Sequence, residues 1–343
     1  MNGSDSKKPA LISLAEVEEK ESEWLVPQYI PKGQISLLAG DGGSGKTSIW
    51  NALAAAISTG TKVFFDSVPD DFAKTEPRNV LYFSSEDSTE FILKRRLRLA
   101  GANEKNIFFV SLQDEAFNEI KFNNPIVEEF IKEANPALVI FDPIQSFIPQ
   151  DVQMGQRNAM RNCLNPLIGL GEKYGCTFLI ILHTNKRQGT YGRNRVADSA
   201  DIWDIARSVL IAGTAKDNTR YLSHEKSNYG ELGETVIFAI EEGVAKFVEH
   251  SNKKDKDFVL ERDYEARDKP QRADAQQFII EYLRNGKKPT KELDEAVQSA
   301  GISKRTLDRA KSELRNKKQL GSSNEGFGSN KVFYSYLLDQ SLT

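Results

Sequence analysis

The stretch Gly40-Asp41-Gly42-Gly43-Ser44-Gly45-Lys46-Thr47 constrains this chain more than any other. It follows the apolar run Gln34 to Ala39, which reads as a buried strand, and precedes Ser48 to Ile57, which reads as a helix. A glycine loop between strand and helix is the setting in which backbone N–H groups converge on a phosphate chain, helped by the partial positive charge of the helix N-terminus. Gly40, Gly42, Gly43, Ser44, Gly45, Lys46, Thr47 and Ser48 form the expected nucleotide-binding set. Lys46 would reach the β- and γ-phosphates and the Thr47 hydroxyl would ligate Mg²⁺. ATP is the expected cofactor, with GTP as the alternative.

Alternation of apolar strands and helical spacings continues from the loop to about Leu182, which predicts a parallel sheet covered on both faces, with its ligand at the carboxyl ends of the strands. From Ala206 onward the helices between strands vanish. Ser208 to Ala212, Arg220 to Ser223, Thr235 to Ile240 and Ala245 to Val248 read as antiparallel additions to one edge. Residues 251–272 are charge-rich and low in apolar content, so a linker is expected there. In residues 273–343 the order helix, helix, turn, helix and hairpin predicts a winged helix, with Leu307, Ala310 and Leu314 inward and Lys304, Arg305, Lys311 and Arg315 outward as DNA contacts.

Charge supports this division. Between Arg284 and Lys318 eleven Lys or Arg stand against five Asp or Glu, a balance of +6, whereas the whole chain carries −3. The remainder therefore sums to −9, and a basic module is appended to an acidic body. A length of 343 residues suits one large domain with a smaller one. Cys163 and Cys176, in no metal-ligand spacing, read as free thiols in a reducing compartment, and no apolar run is long enough for a bilayer, so the expected location is cytoplasmic. Trp24 and Tyr29 read either as an adenine platform or subunit contact, or as a cover for the core.

Three strand ends carry further candidates. Asp142 closes the run Pro136 to Phe141, where an acid supporting Mg²⁺ belongs. Glu86, in the loop after Asn79 to Ser84, is expected beside the loop strand, positioning the attacking water, with Asp87 as competitor. His183 follows Leu182 and would face the γ-phosphate as a sensor of its loss.

Taken in order, the phosphate loop, Tyr82-Phe83-Ser84-Ser85-Glu86-Asp87, Val139-Ile140-Phe141-Asp142-Pro143, Ile181-Leu182-His183-Thr184-Asn185-Lys186, Asp204-Ile205-Ala206-Arg207-Ser208-Val209-Leu210 and Glu225-Lys226-Ser227-Asn228-Tyr229-Gly230 resemble the plasmid RepA-type hexameric replicative helicases. These belong with the RecA and DnaB-like ATPases. The resemblance spans roughly Trp24 to Val248 and implies a RecA-like α/β core over 24–250, after an N-terminal lead over 1–23. It also implies a homo-oligomeric ring, single-stranded DNA as partner, and ATP between subunits. Arg207 matches the family's arginine finger, and Lys226 a basic residue acting across the same interface. Two loops, about Ser146 to Arg161 and about Lys186 to Arg195, would face the channel. The second brings Lys186, Arg187, Arg193 and Arg195 to the DNA backbone. The winged helix and the lack of a large N-terminal ring domain depart from the family. The alternatives are an ATP-switched DNA-binding regulator, loader or anti-phage sensor, and a recombination filament.

Overall fold

Strands made almost wholly of apolar residues can be satisfied only when both faces of their sheet are covered. The computed structural model describes residues 11–19, 21–65, 75–154, 157–185, 189–196, 200–215, 217–326 and 331–338. It divides into one unit over Met1–Lys256 and a second over Asp257–Thr343.

The first unit contains β1 (Trp24–Val26), β2 (Ile30–Pro31), β3 (Ile35–Gly40), β4 (Asn79–Ser84), β5 (Ile107–Phe109), β6 (Pro136–Asp142), β7 (Thr177–His183), β8 (Ser208–Thr214), β9 (Arg220–Ser227), β10 (Thr235–Glu241) and β11 (Val244–Ser251). Its helices are α1 (Lys46–Thr59), α2 (Lys94–Leu99), α3 (Ile126–Ala134), α4 (Arg157–Tyr174), α5 (Arg193–Val196) and α6 (Ala200–Ile205). Among the described residues the main sheet has the order β11-β10-β9-β8-β3-β7-β6-β4-β5. The six strands from β8 to β5 are mutually parallel, whereas β9, β10 and β11 add on in antiparallel fashion. This is a RecA-like α/β core.

Side chains alternate between the faces, as strand geometry requires. Ile35, Leu37 and Ala39 of β3 join a core with Met160, Leu164 and Leu167 of α4, while Leu38 joins Ile49, Trp50 and Leu53 of α1 on the other face. Each such buried side chain contributes about 1.5–3 kcal/mol relative to exposure. Cys163 and Cys176 are buried free thiols, pushed up to about 11 and about 12 by desolvation.

The sheet order corrects one expectation. The strand beside β3 is β7, followed by β6, so β4 and the Glu86 loop lie third from the phosphate-loop strand. Tyr29 is no adenine platform either: it is 1% exposed, its hydroxyl donates to Glu234 O at 2.8 Å, and its ring meets Phe65 edge-on.

Within 251–272, where a linker was expected, the chain enters α7 (Asp255–Leu283). The second unit continues with β12 (Lys288–Pro289), α8 (Thr290–Ser299), α9 (Lys304–Asn316), β13 (Leu320–Glu325) and β14 (Val332–Leu337), its three strands in the order β12-β14-β13. Ser303 caps α9 by accepting from Thr306 N at 3.2 Å. Leu307, Ala310 and Leu314 pack with Ala275, Ile279, Leu283, Leu293 and Val297 in a separate core. Residues 327–330, between β13 and β14, lie outside the described residues. Among the described residues no helix is long and apolar enough to cross a membrane.

Candidate functional site

Parallel pairing aligns the strand ends, and with them the candidate residues. Gly40 pairs with His183, and Ser84 pairs with Asp142, so the loops after β3, β7, β6 and β4 open on one side of the sheet. Gly45, at φ +97°, turns the chain from loop into α1 in a conformation that L side chains rarely adopt, and a Cβ there would also stand 2.9 Å from Ile240 Cδ1. Gly40 is equally constrained: its Cβ would meet Ala212 O and Ser44 Oγ, each at 2.5 Å. Around Gly42 and Gly43, by contrast, a Cβ would meet nothing within 4 Å. The loop is tight underneath and open above, the shape of a phosphate cradle. Ser44 Oγ is buried with no protein partner, which fits a group awaiting a phosphate oxygen.

Lys46 is 8% exposed, and its ammonium donates to Gly40 O at 2.8 Å, Asp41 O at 3.0 Å and His183 Nδ1 at 3.3 Å. An ammonium only donates, so Nδ1 accepts and the ring proton sits on Nε2. Nε2 then donates to Glu86 Oε1 at 3.1 Å. Glu86 therefore reaches past β6 from the loop after β4 to the end of β7, linked to Lys46 by one imidazole. Burial lowers the Lys46 pKa, opposed by Asp142, Glu86 and Asp41.

Asp142 is 4% exposed and accepts from Trp50 Nε1 at 2.8 Å. Burial is the first cause of its rise to about 6, partly countered by the Trp50 bond. A buried carboxylate in this state gains from a nearby cation. The Thr47 hydroxyl and the Asp142 carboxylate are hard oxygen donors of the kind Mg²⁺ takes. Among the described residues no group of three or more His, Cys, Asp or Glu gathers as a metal cage.

Several candidates stand elsewhere. Arg207 precedes β8 at the opposite end of the sheet, its N–H bonded to Ile35 O at 2.8 Å. Gly40 lies five positions after Ile35 along β3, roughly 16 Å of strand. Lys226 donates to Trp203 O at 2.9 Å, Asp204 O at 3.2 Å and Ala206 O at 2.7 Å, so it closes the carboxyl end of α6 and its pKa is lowered by burial.

The DNA set is revised more heavily. Lys186 and Arg187 lie outside the described residues. Arg193 forks onto Asp204 at 2.8 and 3.0 Å. Arg195 is 3% exposed and pairs internally with Asp41 and Asp255, so it offers nothing to a DNA backbone. Lys311 likewise is 5% exposed and pairs with Asp294, whereas Lys304, Arg305 and Arg315 are exposed along α9. Of the loop from Ser146 to Arg161, Ser146 is tied to Ser85 through their hydroxyls at 2.6 Å.

Sequence reasoning missed Trp50, although it stands four residues after Lys46 and so one turn further along α1. It also missed Arg220, whose Nε donates to Gly43 O at 3.4 Å from the start of β9.

The AAA_25 family, described as an AAA domain, matches residues 6–189, a little over half of the sequence. The chain belongs to this family. It is a RecA-like P-loop ATPase core with an additional C-terminal unit. Among solved structures, the KaiC-like protein from the hyperthermophilic archaeon Pyrococcus horikoshii OT3 is 18% identical, with a TM-score of 0.42 over 64% of this chain and 91% of that one. The ATPase domain of G40P is 15% identical, with a TM-score of 0.47 over 64% and 86% respectively. No match was found among curated proteins.

Proposed function

We propose that this protein is an ATP- and Mg²⁺-dependent oligomeric motor acting on single-stranded DNA, a helicase of the RepA type serving a plasmid, phage or similar mobile element. The observation that carries the reading is the chain Lys46–His183–Glu86, which joins the phosphate loop to a carboxylate through the imidazole that ends β7. In this reading Gly42, Gly43, Ser44, Gly45 and Ser48 bind the phosphates, and Lys46 leaves the carbonyls of Gly40 and Asp41 for the β- and γ-oxygens. Thr47 and Asp142 hold Mg²⁺, which neutralises charge on the phosphates. Glu86 orients and polarises the attacking water, and His183 registers whether the γ-phosphate is present.

Arg207 completes the site of an adjacent copy. Its place beside Ile35, at the far end of β3 from its own loop, suits service to a neighbour. Lys226 supports the same edge by holding the carboxyl end of α6 next to Arg207. Lys186, Arg187 and Arg193 belong to the loop proposed to meet the DNA strand. The second unit has the element order of a winged helix, and Lys304, Arg305 and Arg315 on α9 are its proposed duplex contacts.

Steady-state hydrolysis with and without single-stranded DNA, followed by strand displacement on a forked duplex, tests this function. Wild type is expected to be stimulated and to unwind. Lys46→Ala removes nucleotide binding, and Glu86→Gln lowers kcat by ~10²–10⁴-fold with the fold intact. Near-normal turnover in either variant would sink the assignment. Site-specific duplex binding with slow hydrolysis indifferent to DNA would replace the motor with an ATP-controlled switch.

A further inference from the structure

The small sheet of the second unit has two faces, and the core fills only one. Leu320 of β13 and Leu337 of β14 pack with Leu307 and Leu314 of α9, and Ser335, 1% exposed, shares a hydrogen bond with the Thr290 hydroxyl at 2.9 Å. Strand alternation then turns Tyr334 and Tyr336 of β14, with Gly321 and Ser323 of β13, to the opposite face. Tyr336 pairs with Gly321, and its ring lies over that backbone: a Cβ on Gly321 would stand 2.6 Å from Tyr336 Cε2. Tyr334 pairs with Ser323, so each half-buried ring sits beside a small residue, the two roughly 7 Å apart along the strand.

The surroundings of these rings are basic. Over residues 284–289 and 320–338, Arg284, Lys287, Lys288 and Lys331 stand against Glu325 alone, four cations less one acid, or +3. Lys287 Nζ stands 5.1 Å from the centroid of the Tyr334 ring and also pairs with Glu325. Both members of that ion pair are more than half exposed, so it contributes little, and the lysine can exchange its carboxylate for a phosphate. Beside Tyr336 opens a cavity of about 660 Å³ lined by Arg284, Gly286, Lys287 and Ser323, with room for a nucleobase.

We infer that the outer face of this β12-β14-β13 sheet binds single-stranded nucleic acid, with bases stacked on Tyr334 and Tyr336 and the phosphates held by Arg284 and Lys287. Ring faces beside cations select unstacked bases, because a duplex buries its base faces and offers only their edges. The site is separate from the duplex contacts proposed on α9, and it does not rest on the motor reading of the first unit.

The full-length protein, free of nucleotide, is titrated against fluorescein-labelled oligo-dT, oligo-rU and an abasic oligomer of the same length. Tyr336→Leu keeps an apolar cover over Gly321 but removes the π face. It is expected to weaken binding of oligo-dT or oligo-rU by ~5-fold or more and to leave the abasic oligomer unaffected. The polymer that loses more identifies DNA or RNA as the partner. Tyr336→Phe keeps the ring and is expected to stay within ~2-fold of wild type. Unchanged hydrolysis without nucleic acid reports that the Tyr336→Leu protein is folded. Irradiating wild type with an iodouracil-substituted oligomer should attach it at Tyr334 or Tyr336, in the tryptic fragment that follows Lys331. Wild-type affinity for both polymers in Tyr336→Leu, an equal loss on the abasic oligomer, or no attachment in that fragment overturns the inference. Loss of DNA-stimulated hydrolysis would count against the motor alone, since attachment at the tyrosines is read independently of turnover.

Discussion

His224 gives the sharpest quantitative test of the fold around Arg207. It is 0% exposed, its Nδ1 accepts from Gly233 N at 2.9 Å, and its Nε2 lies 3.2 Å from Ser208 Oγ, which in turn donates to Tyr29 O. A second ring proton would have to sit on Nδ1, facing an N–H that is already a donor. Burial is the main reason the pKa falls from 6.5 to about 4. The folded value is below the unfolded one, so the unfolded chain takes up the proton first and stability is lost as pH falls from 6.5 towards about 4.

Between about pH 7.5 and about pH 5 this group alone costs about 2 kcal/mol. Asp142 works in the opposite direction. Its folded pKa is raised from 3.8 to about 6, so the native state binds the proton first and gains about 1 kcal/mol over the same interval. A pH titration of wild type alone would therefore show only a small net loss from these two groups, and the His224 contribution must be isolated by difference. Urea unfolding of wild type and His224→Asn at both pH values provides it, because asparagine keeps an acceptor for Gly233 N without titrating. The stability gap between the two proteins should shrink by about 2 kcal/mol at the lower pH. A gap unchanged between the two conditions would refute a neutral, proton-excluding His224.

Three other outcomes follow from the site. Gly45→Ala should abolish nucleotide binding, measured by fluorescent ATP analogue titration, since the new Cβ meets Ile240 and Phe238 at a φ of +97°; retained affinity would mean that the loop differs in solution. Trp50→Phe removes the hydrogen bond to Asp142 while keeping an aromatic in the core, and should cost about 1.5–3 kcal/mol of urea stability at neutral pH; no loss would mean that the Asp142 carboxylate does not depend on the indole. Arg207→Ala should lower kcat by ~10³-fold or more, and mixing it with Lys46→Ala should restore part of the activity, because some interfaces then combine an intact loop with an intact arginine. Failure to recover activity in a demonstrated mixed assembly would place Arg207 outside catalysis.

What the sequence revealed and what it concealed divide along the distance over which each feature is encoded. The phosphate loop, the acid that ends β6 and the histidine that ends β7 are each read from a short segment, because an apolar run closed by a polar residue marks a strand end whatever its neighbours are. Strand order is not local: nothing in Asn79 to Ser84 says that β7 and β6 will stand between it and β3, and Glu86 reaches the site only because it meets His183 at the end of β7. Arg195 fails as a DNA contact for the same reason, since its buried partner Asp255 lies 60 residues further along the chain. In an interval holding Lys186, Arg187, Arg193 and Gly189, a charge run looks like a solvated loop until the acids folded against it are known.

Lys311 is a different case, because its burial was legible. It falls four residues after Leu307 and one after Ala310, within the apolar stripe of α9, and a lysine at such a position either snorkels or finds an acid. Asp294 on α8 is that acid. The helical period was therefore a better guide than the residue's charge, and the exposed set Lys304, Arg305 and Arg315 is what remains of the basic face once the period is applied.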